Sequence, residues 1–215
     1  MTSIFAPPSP VLIPIVGTAH DFPVRRIYCI GRNYLDHVKE MGNDPKADPP
    51  VFFMKPADAI VLDGRFPYPA QSSDVHHEIE LVVALGLDAK IFGYAVGLDM
   101  TCRDLQAQSK KHGRPWEQAK SFDHSAPMGP ISPRADILSK GAITLDVNGE
   151  RRQSADVADL IWNVPEMIAA LSRHAELKAG DIIFTGTPAG VGPVKSGDRL
   201  HGAIEGLGVL SVMVV

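Results

Sequence analysis

Apolar and polar positions alternate along this chain in short segments, and most of them have the period of strands. Ile27-Tyr28-Cys29-Ile30 and Val51-Phe52-Phe53-Met54 are brief apolar runs bounded by turn residues, and Ala59-Ile60-Val61 is a third candidate. His77 to Leu85 predicts a strongly apolar strand that carries two glutamates, and Phe92 to Met100 predicts another with glycines inside it. Ala142 to Gln153 reads as a hairpin, because Asn148-Gly149 suits a type I′ turn whose two central residues need positive φ. Asp181 to Thr185 predicts a strand, followed by a glycine-rich loop from Gly186 to Gly197. Leu200 to Val215 alternates short strands with glycine turns. Helical patterns are fewer. Tyr34 to Met41 is one, stopped by Gly42. Thr101 to His112 is a second, with Thr101 placed as N-cap. Pro165 to Ala175 is a third, with proline in its first turn and Met167, Ile168 and Leu171 on one face.

Strands dominate, so the pattern predicts a β-rich α+β fold. Residues 1–24 hold Pro7, Pro8, Pro10, Pro14 and Pro23 and are expected to form an extended arm. Val11, Leu12, Ile13, Ile15 and Val16 make that arm too apolar to hang free. Residues 25–215 are read as a single catalytic domain, consistent with a chain of 215 residues.

Composition narrows the function classes. A hydrophobic fraction of 45% and a charged fraction of 21% are those of an ordinary globular protein. The net charge of −4 offers no electrostatic case for nucleic acid or an anionic membrane. No apolar run approaches the roughly 20 residues of a membrane span, and the first Lys or Arg is Arg25. A cytoplasmic protein is therefore expected. Cys29 and Cys102 have no metal-type spacing and are expected as free thiols.

The chemistry-bearing residues begin with Glu78 and Glu80. Residues i and i+2 of a strand share a face, so their carboxylates are expected close together at the start of a buried strand. Two such groups repel and lose hydration, and a hard cation with oxygen ligands would relieve both costs. The pair alone is a weak signal, and a solvated strand end where both glutamates meet water is the readier reading of it. Asp99, where the next apolar strand ends, can complete a three-carboxylate set that leaves positions for water and substrate. In a helix, His37 and Glu40 are i,i+3 neighbours, which can make a water-activating dyad or an incidental surface pair. Lys120, among small and apolar residues, could offer positive charge to an enolate or carboxylate. Arg103, Asp104 and Gln106 follow Asp99 and could simply be solvated. Thr185-Gly186-Thr187-Pro188, with Gly190 and Gly192, is similar to an anion-cradling loop. No P-loop or dinucleotide fingerprint is present.

Taken in order, these segments resemble the fumarylacetoacetate hydrolase family. They are Ile30-Gly31-Arg32-Asn33-Tyr34 with Asp36-His37, Phe53-Met54-Lys55-Pro56, His77-Glu78-Ile79-Glu80, and Gly93 to Thr101 with Arg103-Asp104. Ala119-Lys120-Ser121-Phe122-Asp123 and Thr185 to Gly192 complete the set. The short chain with its proline arm is most similar to the bacterial fumarylpyruvate and acylpyruvate hydrolases of aromatic-compound catabolism. The resemblance implies a mixed β-sandwich roll, a homodimer, and Mg²⁺ or Mn²⁺ (Ca²⁺ being possible in a crystal) on Glu78, Glu80 and Asp99. It implies His37 and Glu40 as the water-activating pair on a mobile lid, and Lys120 as a further catalytic group. Arg32, Arg103, Gln106 and Thr187 would meet the substrate. The implied activity is hydrolysis of a carbon–carbon bond in a small dicarboxylic 2,4-dioxo acid, fumarylpyruvate giving fumarate and pyruvate. The alternative is a 2-oxo acid decarboxylase or isomerase on the same metal site, of the oxaloacetate decarboxylase kind. One departure stands out: only Gly86 to Phe92 remains where the family carries a longer segment with a helix.

Overall fold

A computed structural model of the chain describes residues 3–6, 9–34 and 49–215. Its centre is a six-stranded mixed sheet in the order Ser132–Pro133, Ile91–Leu98, Ile79–Leu85, Asp181–Phe184, Arg26–Gly31 and Val51–Lys55. Asp181–Phe184 and Arg26–Gly31 run parallel, and the other neighbours are antiparallel. Both faces of this sheet are covered, which is why Ile79–Leu85 is apolar without alternation and buried along its whole length.

The two faces bury different things. Leu81, Val83 and Leu85 belong to one core with Ile143, Leu145, Leu200, Leu210 and Val212. Those partners come from a second, five-stranded sheet ordered Glu150–Asp156, Ala142–Val147, Arg199–Ile204, Gly208–Val214 and Arg65–Phe66. Val82 and Ala84 point the other way, into a core with Ile27, Cys29, Ile182 and Phe184. The proline-rich segment closes that face. Leu12–Pro14 and Asp21–Pro23 form a small antiparallel hairpin, and Ile13 and Phe22 enter the core. Val11 and Ile15 pack against that core, whereas Leu12 and Val16 stay exposed. The fold is the β-rich α+β roll that the pattern and the family resemblance imply.

Several local expectations are corrected. The stretch from His77 to Leu85 is two strands, Val75–His77 and Ile79–Leu85, broken at Glu78. Val75–His77 instead joins a small sheet with Thr101–Cys102 and Gly192–Val194, the last lying inside the segment read as loop. Thr101 is therefore strand, and the helix α1 begins after it, Arg103–Lys111, with no side-chain cap. The Thr101 hydroxyl is already engaged: it donates to the Asp99 carbonyl and accepts from the Lys120 ammonium. Helix α2 is Glu117–Lys120. Helix α3 is Val164–Leu171, shorter than its periodicity suggested, and is capped by an Asn163–Glu166 box. The Asn148-Gly149 turn has positive φ at both residues, as a type I′ hairpin requires. Gly86 to Phe92 holds a single 3₁₀ turn, Leu87–Ala89, with Leu87 exposed. Both cysteines are buried and free. No helix among the described residues is long and apolar enough to cross a membrane. The expected helix from Tyr34 to Met41 lies outside the described residues from position 35 onward.

Candidate active site

The break at Glu78 positions the site. Glu78 sits between two strands, and Glu80 follows two residues later on the face that carries Val82 and Ala84. The Asp99 backbone N–H donates to the Glu78 carbonyl at 2.9 Å, so the ends of neighbouring strands bring the third carboxylate alongside. Carboxylate oxygens of Glu78, Glu80 and Asp99 lie within 4.8 Å of one another, and all three residues are buried. Among the described residues this is the one acidic, His or Cys group with that closeness.

Three buried carboxylates would repel strongly without compensation. Lys120, at the end of α2, supplies the first offset. Its Nζ donates to Glu78 Oε2 at 2.8 Å, Asp99 Oδ2 at 2.6 Å and the Thr101 hydroxyl at 2.6 Å. Burial pulls the Lys120 pKa down, but the Asp99 and Glu78 carboxylates outweigh it and leave it pushed up to about 12. Lys55, wholly buried on Val51–Lys55, approaches Asp99 Oδ1 at 2.8 Å and donates to the Lys120 carbonyl. Arg103 donates to Glu78 Oε1 at 2.6 Å and to Gln106 Oε1 at 2.7 Å.

Glu80 receives a different kind of support. The Gly186 N–H donates to Glu80 Oε2 at 2.8 Å, so the glycine-rich loop does cradle an anion, and that anion is the protein's own carboxylate. Gly186 has φ +97°, and a Cβ there would meet the Asn33 Cβ at 2.8 Å, so only glycine fits. Burial, with Asp99 and Glu78 nearby, still holds the Glu80 carboxyl well above the usual carboxylate range. Asp99 Oδ1 receives no aligned hydrogen bond despite the nearby lysine. An all-oxygen, incompletely satisfied set of this kind fits a hard divalent cation, the donors that Mg²⁺ and Mn²⁺ prefer.

The other expected residues take varied places. Arg32 lines the same pocket, with φ +62°, an unusual value for a non-glycine residue of the kind that persists at functional sites. Gln106 also lines it and is buried. Thr187 lines the pocket, yet its hydroxyl donates to the Ile79 carbonyl at 2.7 Å and accepts from Gln153 Nε2 at 2.8 Å. His37 and Glu40 lie outside the described residues. Sequence reasoning missed Lys110, Trp116, Phe53 and Lys55 near this site. It also missed Gln153, whose side chain ties the five-stranded sheet to Ile79 and Thr187. A signal existed for Lys110, which follows Arg103 and Gln106 at the helical spacing of three and four.

Residues 26–215 match the model of the fumarylacetoacetate hydrolase C-terminal family. The chain belongs to that family. It is 50% identical to fumarylpyruvate hydrolase from Pseudomonas aeruginosa, solved in complex with Mn²⁺ and pyruvate. That likeness covers 100% of this chain and 99% of the other, with a TM-score of 0.95. It is also 42% identical over 205 residues to the oxaloacetate tautomerase YcgM of Escherichia coli, covering 88% of this chain and 93% of the relative. The human mitochondrial oxaloacetate tautomerase FAHD1 is 41% identical over 196 residues, covering 85% and 88%. This member of the family is thus an enzyme with a buried acidic cluster suited to a metal ion, and its relatives act on small oxo acids by at least two reactions.

Proposed function

We propose that the protein hydrolyses the C3–C4 bond of an acylpyruvate, fumarylpyruvate among them, releasing a carboxylic acid and pyruvate. The observation that carries this reading is the Glu78–Glu80–Asp99 cluster with Lys120 held across it. The full-length likeness to a fumarylpyruvate hydrolase that holds Mn²⁺ and pyruvate supports it. Glu78, Glu80 and Asp99 would hold Mg²⁺ or Mn²⁺, which when bound supplies Lewis acidity to the 2-oxo acid end of the substrate.

The chain's own residues divide the remaining work. His37, oriented by Glu40, takes a proton from water as the water oxygen adds to the C4 carbonyl. The C3–C4 bond then breaks, its electron pair passes to pyruvate enolate, and a proton returned to C3 completes the products. Lys120, with its pKa pushed up to about 12, stays protonated at neutral pH. Its three N–H groups are given to Glu78, Asp99 and Thr101, so it acts as a fixed positive charge beside the developing enolate and not as a base. Arg32, Arg103, Gln106 and Thr187 border the substrate, though the Thr187 hydroxyl proton is already given to the Ile79 carbonyl. The assembly we propose is a homodimer in the cytoplasm; sedimentation at micromolar concentration showing only monomer would remove the dimer from this reading.

A second reading, tautomerisation or decarboxylation of oxaloacetate, is favoured by the identity to oxaloacetate tautomerases. It needs enolate stabilisation but no hydrolytic water. His37→Ala separates the two. Loss of a general base costs about 10²–10⁴-fold in rate, so acylpyruvate hydrolysis should fall by that factor while oxaloacetate turnover falls much less. An unchanged ratio of the two activities would mean that His37 is no hydrolytic base.

A further inference from the structure

Along α1 the residues facing the pocket are Arg103, Gln106 and Lys110, one stripe at spacings of three and four. At about 1.5 Å per residue, Lys110 sits roughly 10 Å from Arg103 along the helix axis. The near end of the stripe is committed: Arg103 is bound to Glu78 and to Gln106. The far end is not. Among the described residues Lys110 has no ion-pair partner, and its Nζ lies 5.3 Å from the centroid of the Trp116 ring. That ring is fixed in turn. It packs 6.0 Å from Phe53, and a Cβ at Gly31 would meet it at 3.3 Å.

Lys110 lines the pocket at its mouth and is exposed to solvent, with Arg32 and Arg103 beside it. Partial burial, then the Arg103 and Arg32 guanidiniums, pull its pKa down to about 8, against a smaller opposing pull from Glu78. A cation in this position gains most from an anion that the described residues do not supply.

We infer that Lys110, backed by Trp116, is a specificity-determining residue that pairs with a second carboxylate at the acyl end of the substrate, so that the site prefers diacids. The inference rests on the reading of the pocket as a 2-oxo acid site with its metal end at Glu78, Glu80 and Asp99. A diacid of fumarylpyruvate's length, anchored there, extends along the α1 stripe toward Lys110. The flat Trp116 ring offers its conjugated acyl chain an apolar wall. Arg103, held by Glu78, is left to the oxo-acid end.

The test uses the Mn²⁺-loaded protein and calorimetry with two probes that differ only at the far end, 2-oxoadipate and 2-oxohexanoate. The diacid should bind at least about tenfold more tightly to the wild type, because only it places a charged acceptor against the Lys110 ammonium. In Lys110→Met and in Lys110→Gln that preference should collapse, and in Lys110→Arg most of it should remain. A preference that is absent from the wild type, or that survives both neutral substitutions, overturns the proposal. Fumarylpyruvate hydrolysis measured on the same wild-type preparation keeps the two readings apart. Diacid preference without hydrolysis sinks the hydrolase reading alone, and hydrolysis with an unchanged preference in Lys110→Met sinks this one alone.

Discussion

The floor and the mouth of the pocket handle charge in opposite ways. On the floor, the buried carboxylates of Glu78 and Asp99 meet Lys120, Lys55 and the guanidinium of Arg103 at 2.6–2.8 Å, and that of Glu80 meets the Gly186 N–H at 2.8 Å. At the mouth, Lys110 and Arg32 stand near Arg103, and neither has a carboxylate partner among the described salt bridges. Charges removed from water must be compensated inside the protein, whereas charges at an opening can wait for a ligand. The floor is thus built to hold its shape in the absence of substrate, and the mouth to respond to one.

The largest expected effect breaks the floor outright. Glu80→Ala should remove Mn²⁺ binding, read by calorimetry, together with acylpyruvate hydrolysis and any oxaloacetate turnover. Wild-type Mn²⁺ affinity in this variant would mean that the acidic cluster is not the metal site. Next, Lys120→Met should destabilise the metal-free protein by about 3–5 kcal/mol in urea unfolding, because it leaves the Glu78 and Asp99 carboxylates buried without their shared cation. Lys110→Met should change stability by no more than about 0.5 kcal/mol, as a solvent-facing site does. Equal losses in the two variants would erase the contrast between floor and mouth.

A smaller loss, about 1–3 kcal/mol, is expected for Thr101→Val, which deprives Lys120 of a buried hydroxyl acceptor. The smallest effect is a pH dependence at the mouth. Lys110 has a lowered pKa of about 8, so it is charged below that pH and neutral above it. The groups acting on it are Arg103, Arg32, Glu78 and Lys120, and Lys120 keeps its charge across this range. The ratio of kcat/KM for fumarylpyruvate over that for a neutral acylpyruvate should therefore decline as pH rises through about 8, and a flat ratio would count against a charged Lys110 as the selector. Taking the ratio removes titrations common to both substrates, His37 included.

Much of the floor was legible before any coordinates. Glu78 and Glu80 share a face because strands have period two, and Asp99 joins them because hydrophobic runs end where functional side chains emerge. The strand break at Glu78 was not legible, since His76 and His77 continue the same polar-to-apolar gradient and only pairing with Thr101–Cys102 and Gly192–Val194 separates them. Thr101 looked like a helix cap because threonine favours that position. Its hydroxyl went instead to a lysine 19 positions away, a contact that no local rule contains.

The sequence by itself determined where the longer strands lie, that the proline-rich start is apolar enough to need cover, and which carboxylates share a side. These follow from periodicities and backbone preferences that act within a few residues. Only the tertiary structure decided where the glycine-rich loop sends its N–H, that Gln153 of a second sheet braces the glutamate strand, and that Lys110 faces the pocket while Lys111 does not line it. Each of these depends on which elements lie against one another, and that is settled by burying two separate apolar faces of one sheet at once.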